Sequence, residues 1–247
     1  MKEKLYTIPL NDAINAGDEC VLCNVNRKLE QDAIDFAVGA GASYMESDIR
    51  EATDKAGFCK HHFQMMYEYG NSLGNALILK THVKKMRTDL GKEMKSFKPG
   101  KASLFSKGEE SNVERYLSQL EEKCYVCDYY KDTYDRYIDT FFYLYKNDSS
   151  FKEKVESGKG FCLHHMKDLI SAASSHLNKE DCEKFCQMLF KLQDENLARI
   201  EEDISWFVDK FDYRNKDADW KNSKDAIPRT IGKIVGGYPA DGPYKQQ

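Results

Sequence analysis

Four cysteines of this chain stand as two Cys-x-x-Cys pairs, Cys20–Cys23 and Cys124–Cys127. Two more open Cys-x-x-His pairs, Cys59–His62 and Cys162–His165, each inside a Gly-Phe-Cys-x-His-His run. A Cys-x-x-Cys pair lets two thiolates converge on one ion. A Cys-x-x-His pair at the start of a helix places its two donors on one face. Three thiolates and an imidazole fill a tetrahedral shell, and a helix N-terminus favours thiolate over thiol. Chain order groups the ligands as Cys20, Cys23, Cys59 and His62 in one centre and Cys124, Cys127, Cys162 and His165 in the other. His61 and His164 compete for the fourth position. Two residues from the cysteine, each falls on roughly the opposite side of the helix, so His62 and His165 are the preferred ligands.

The elements that must position these residues occur twice. The Cys-x-x-Cys pairs are offset by 104 residues and the Cys-x-x-His pairs by 103. A tandem repeat of one structural unit accounts for both. The gap of 35 residues in the first copy and 34 in the second is longer than a zinc-finger loop. Each centre would therefore staple the first helix of its unit to the third. Leu22, Val25, Leu29, Ala33, Phe36 and Ala37 recur at helical spacing behind the first pair, and Tyr130, Tyr134, Tyr137, Ile138, Phe141 and Leu144 behind the second. Breaks follow at Gly39-Ala-Gly41 and Asn147–Ser150, then short helices over about Glu46–Lys55 and Phe151–Ser157, each closed by a Gly-Phe turn. A longer helical segment starts near each second cysteine, with breaks at Gly70 and Gly74 in the first unit and a run from about Lys179 to Phe207 in the second.

The fold expected is all-α: a helical bundle of two tandem metal-stapled repeats with an irregular tail. The repeats are 1–95 and 111–206, joined by a linker over 96–110 that carries the stop signal Lys98-Pro-Gly100. Residues 207–247 form an aromatic and charged tail, with a short helix from Ala226 to Ile234 entered through Pro228. Phe211, Tyr213 and Trp220 are expected to anchor that tail on the bundle.

Zinc, two ions per chain, suits a closed shell of three sulfurs and one nitrogen. Iron–sulfur clusters, one per repeat, also take four protein ligands and are the alternative. A thiol–disulfide function is a third reading, since Cys-x-x-Cys is a redox signature too. Cys182, Cys186 and His176 fall on Leu79, Val83 and Leu73 when shifted by the repeat offset, which marks them as core, with auxiliary metal ligands as the alternative. His82 falls on Phe185 and has no partner motif.

The chain has 247 residues, a net charge of −4, 41% apolar and 32% charged residues. That is a globular composition, and its charge argues against a protein built to coat nucleic acid. The local exception is Lys84 to Lys107, with Lys84, Lys85, Arg87, Lys92, Lys95, Lys98, Lys101 and Lys107 against Asp89 and Glu93. It reads as a solvated helix end and linker, with an acidic or phosphate-bearing partner, nucleic acid included, as the sharper alternative. The N-terminal residues hold no signal-peptide run and no segment is long enough to span a bilayer. The expected place is the cytoplasm, where cysteine patterns point to metal or redox chemistry rather than a disulfide scaffold. No dinucleotide loop, phosphate loop or His-Glu-x-x-His motif is present. Asp209, Asp212, Asp217 and Asp219 read as a solvated segment. The balance leans away from an enzyme, toward a structural or interaction module with an unidentified protein partner.

The opening KLYTIPLNDAI, the CVLC pair, SYMESDIREATDKAGFCKHH, NALILKTH and the tail WFVDKFDYRN with NSKDAIPR resemble a family of uncharacterised cytosolic proteins from anaerobic, mostly clostridial, bacteria. Some of its members are labelled transporter substrate-binding proteins. The resemblance covers nearly the whole chain and is weakest over Lys95–Glu110. It implies no activity. It implies a GFC-x-x-H pattern, which falls on Cys59 and His62 and favours that histidine over His61. An anaerobic origin would raise the iron–sulfur alternative. Nothing in the sequence suggests the two hinged α/β lobes of a transporter-binding protein.

Overall fold

Amphipathic spacing and sparse glycine and proline make helix the dominant element. The computed structural model describes residues 5–39, 46–100 and 110–237. Among these the chain is all-α. In order the helices are α1 Thr7–Asn15, α2 Val21–Val38, α3 Ser47–Ala56, α4 Lys60–Tyr69, α5 Ser72–Lys95, α6 Asn112–Glu122, α7 Tyr125–Asn147, α8 Ser149–Glu156, α9 Leu163–His176, α10 Lys179–Asp209 and α11 Ala226–Val235. Helices α1–α5 answer one by one to α6–α10, so the repeat is a five-helix motif and α11 stands outside it. Helices α1 and α6, ahead of the cysteine pairs, have no counterpart in the periodicity read from the sequence. A signal for α6 existed: Ser111 and Glu114 form a capping box, each side chain bonding the other's backbone N–H.

Helix ends follow local chemistry. Gly70 ends α4 in the left-handed conformation, φ 89°. Gly74 does not break α5, because Asn71 caps the helix by accepting the Gly74 N–H at 3.0 Å. Gly57 and Gly160, with φ of 63° and 74°, turn the chain into Cys59 and Cys162. Of the expected Gly39-Ala-Gly41 break, residues 40 and 41 lie outside the described residues, as do Lys101 and Lys107 of the basic run. The lysines from Lys84 to Lys98 and Arg87 are exposed, with Asp89 taking Lys85 at 2.6 Å and Lys92 at 3.2 Å.

The chain divides into two compact units that do not follow the repeats. The first takes residues 1–28 and 133–241, the second residues 29–132. The first unit's core is aromatic: Phe141 meets Phe142, Phe151, Phe161 and Phe185 with centroids 5.5–6.5 Å apart. Helix α1 belongs to it through buried Leu10 and Ala13 and the Tyr6–Tyr137 ring contact at 4.6 Å. The second unit packs Ala33, Ile34, Ala37, Phe58, Met65, Met66, Ile78 and Val126. Helix α6 belongs to that unit, with Asn112 donating to the Glu93 carbonyl at 2.9 Å.

The tail departs from expectation. Phe211 and Tyr213 are 75% and 84% exposed, so they do not anchor it. Tyr213 opens a 3-10 turn, Tyr213–Asn215, two residues after Phe211. Phe211 meets Phe207 with ring centroids 5.5 Å apart while staying largely exposed, and Trp220 packs 5.7 Å from Phe207 and beneath the Lys210 ammonium at 5.2 Å. Residues 238–247 of the tail lie outside the described residues.

Candidate metal centres

All four cysteine motifs use one local device. Cys20, Cys59, Cys124 and Cys162 each immediately precede a helix, α2, α4, α7 and α9. Each one's carbonyl accepts the first helical N–H, from Asn24, Phe63, Asp128 and Met166 at 2.9–3.3 Å. The second donor of each motif is then the third helical residue. These are the two positions whose side chains meet in a capping box, here turned toward a shared point. Two helix N-termini face each centre, so their dipoles favour its negative sulfurs.

The pairing differs from chain order. Cys20 and Cys23 meet Cys162 and His165, and Cys124 and Cys127 meet Cys59 and His62, with the four donor atoms of each set within 4.8 Å of one another. The grouping of Cys20–Cys23 with Cys59–His62, and of Cys124–Cys127 with Cys162–His165, is therefore wrong. Each centre instead joins the second helix of one repeat to the fourth helix of the other. Both lie inside single units, the first centre in the unit holding 1–28 and 133–241, the second in the unit holding 29–132.

In the first centre His165 Nδ1 lies 3.3, 3.4 and 3.2 Å from the sulfurs of Cys20, Cys23 and Cys162, and the Cys23 and Cys162 sulfurs are 3.6 Å apart. In the second, His62 Nδ1 lies 3.2, 3.2 and 3.5 Å from Cys59, Cys124 and Cys127, and the Cys59 and Cys127 sulfurs are 4.0 Å apart. Both are Cys3His clusters able to coordinate a metal. His61 and His164 are outside them, with side chains 62% and 59% exposed.

The far nitrogens of the buried imidazoles are also placed. His165 Nε2 is 2.7 Å from the Asn26 amide. With Nδ1 turned to sulfur, Nε2 carries the proton, so the amide presents its oxygen, which otherwise would be buried without a partner. His62 Nε2 faces the Glu30 carboxylate at 3.5 Å, which also lies 3.6 Å from His61 Nε2. Such partners hold a ligating ring in one orientation.

Without a metal, burial opposes the imidazolium of His62, but the Cys124 thiolate and Glu30 outweigh it and carry its pKa up to about 10. Burial likewise opposes that of His165, and Cys162 and Cys23 carry it to about 9. Burial pushes Cys124 up, yet His62 and backbone N–H groups bring it down to about 6. Cys162 is held well below the thiol range by its contacts with Cys20 and Cys23 and with His165. Burial and neighbouring thiolates push Cys20 and Cys127 up.

The remaining candidates have packing roles. The His82 ring lies over the Gly57 turn, where an added Cβ would come within 2.8 Å of it, and Nδ1 is 3.0 Å from the Asp54 carbonyl. His176 stacks on Phe142 at 4.9 Å and meets Asp139 at 2.7 Å. Cys182 and Cys186 are half-buried on α10 rather than core. Their counterparts Leu79 and Val83 are themselves 41% and 48% exposed, so an apolar residue at the matching position did not mark a buried one.

A polar network beside the first centre gave no motif in the sequence. Lys233 of α11 is fully buried. Its ammonium donates to the carbonyls of Glu19 at 2.7 Å and Lys159 at 2.5 Å and lies 3.4 Å from the Glu19 carboxylate. Arg199 and Arg229 share Glu19 at 2.5 and 3.7 Å. A cavity of about 330 Å³ opens here between Cys20, Cys23 and Arg229. Lys233→Met removes the donor from the Glu19 carbonyl ahead of α2 and from the Lys159 carbonyl ahead of α9. Each unsatisfied group costs ~1–3 kcal/mol, so urea unfolding should show a loss of about 2–6 kcal/mol. A loss under ~0.5 kcal/mol would show the network to be dispensable.

No helix among the described residues is long and apolar enough to cross a membrane. No curated protein and no solved structure matches the chain. Residues 1–241 match the family of unknown function DUF6062, and the chain belongs to that family.

Proposed function

We propose that this is a zinc protein of the cytoplasm, holding two Cys3His-bound ions in a structural or partner-binding scaffold. The observation that carries this reading is the size of the clusters. Zinc–sulfur and zinc–nitrogen bonds of about 2.3 and 2.0–2.1 Å at the tetrahedral angle require ligand separations of about 3.5 Å between sulfur and nitrogen and 3.8 Å between sulfurs. The close donor pairs given above are 3.2 to 4.0 Å apart and no pair within either set exceeds 4.8 Å, which supports one ion per cluster. An iron–sulfur cluster spreads its protein ligands over several irons and needs a wider cage. Four ligands close the shell and leave no position for substrate, which favours a structural role over Lewis-acid catalysis.

What each ion would do follows from the pairing. It fixes the entry of α2 against that of α9, or of α7 against that of α4, and so fastens each repeat to the other. Anaerobic purification followed by elemental analysis and an absorption spectrum tests the reading. Two zinc ions per chain and no absorption near 400 nm are expected. Iron with acid-labile sulfide and absorption near 400 nm would replace zinc by clusters, and protein without metal but with reversible disulfides would replace both by thiol chemistry.

A further inference from the structure

The two centres share a ligand set but not a cover. In the first, Cys20, Cys162 and His165 are 3%, 0% and 2% exposed. The chain leaving α11 folds back over the sulfurs: the Gly237 N–H donates to Cys23 at 3.3 Å, and a Cβ on Gly236 would sit 3.4 Å from Cys162 and 3.6 Å from Cys23. Gly232 permits that return, since a Cβ there would come 2.5 Å from the Gly237 carbonyl. Among the described residues helix α11 has no counterpart after the first repeat. In the second centre Cys124 and His62 are buried, Cys59 is half-buried and Cys127 is exposed. Among the described residues no backbone N–H is directed at the Cys127 sulfur, whose polar neighbours are the other ligands of its own centre.

We propose that Cys127 is a modification site for peroxides and other soft electrophiles, through which the second centre alone gives up its ion. The inference rests on the metal-binding reading. A thiolate that is exposed and lacks N–H donors keeps its nucleophilicity, whereas burial and hydrogen bonding blunt it. The Cys127 thiolate attacks one peroxide oxygen, the O–O bond breaks, and the departing hydroxide takes a proton to become water. Cys127 is left as a sulfenic acid. The Cys59 thiolate, 4.0 Å away, attacks that sulfur and expels a second hydroxide, also protonated to water. Two thiolates, one hydrogen peroxide and two protons thus give one disulfide and two waters, with two electrons passing from sulfur to oxygen. Cys124 and His62 remain, too few to hold the ion.

The test uses the full chain carrying two zinc equivalents, one hydrogen peroxide per chain and a zinc-binding dye. One equivalent should be released at least about tenfold faster than the other, and peptide mapping should find a Cys59–Cys127 disulfide. With N-ethylmaleimide instead, the first alkylated of the six cluster cysteines should be Cys127, Cys182 and Cys186 lying outside both centres. Release of both ions at one rate, or first modification at Cys20, Cys23 or Cys162, would overturn the proposal. A chain that never holds two equivalents before peroxide is added fails the zinc reading instead, so the two failures are distinct.

Discussion

Cys59→Ser should cost the chain one of its two metal equivalents and unmask Cys124 and Cys127, in the other repeat, while Cys20 and Cys23 stay protected. Cys59 stands with Cys124, Cys127 and His62, and Cys20 and Cys23 stand with Cys162 and His165. A serine hydroxyl is a far weaker ligand than a thiolate, and affinity at the second centre should fall at least about 1,000-fold, or ~4 kcal/mol. Binding energy at such a site is also folding energy, so the loss should appear as destabilisation of the unit spanning 29–132. Metal analysis gives the stoichiometry, and alkylation followed by mass spectrometry shows which thiols opened. Protection lost at Cys20 and Cys23, with Cys124 and Cys127 still masked, would restore the pairing within each repeat and sink the exchange.

That exchange is the part of the site that chain order conceals. The eight residues that converge, and the choice of His62 and His165 over their neighbours, are legible because a three-residue spacing at a helix start has one geometric outcome. Partition between two identical motif pairs has no local signature. Helix length offers a clue. Helix α7 has 23 residues and carries the chain about 35 Å away from its N-terminus. The way back is α8, of eight residues and about 12 Å, and a short segment that turns at Gly160 instead of running extended. Cys162 therefore finds a different Cys-x-x-Cys pair. Lys233 was illegible for another reason: a lysine in the run Ile231-Gly-Lys-Ile-Val reads as a solvated residue. The carbonyls of Glu19 and Lys159 and the Glu19 carboxylate, distant in sequence, explain its burial.

Metal affinity at the second centre should rise at least about 100-fold for each pH unit between pH 6 and 9. The ion needs a neutral imidazole and three thiolates, so every proton that the metal-free centre holds must leave on binding. His62, raised to about 10, is imidazolium throughout this range. Cys127, raised by burial and by neighbouring thiolates, is still a thiol there. At least these two protons are therefore released per ion, and each contributes a factor of ten per pH unit. Below about 6 Cys124 also takes up its proton, and the slope should steepen by one. The sign for folding follows: stability conferred by the metal is lost as pH falls. The His62 imidazolium works oppositely in the metal-free chain. Its raised pKa adds stability that is full below the ordinary histidine value and disappears as pH rises through about 10. Chelator competition at several pH values measures the slope, and a slope of one or less would mean that the metal-free centre already presents its ligands deprotonated. The first centre should follow the same direction through His165 and Cys20. An exposed and a covered centre would then share one equilibrium response to acid and differ in how fast each answers it, since the cover of α11 stands between the first ion and the solvent.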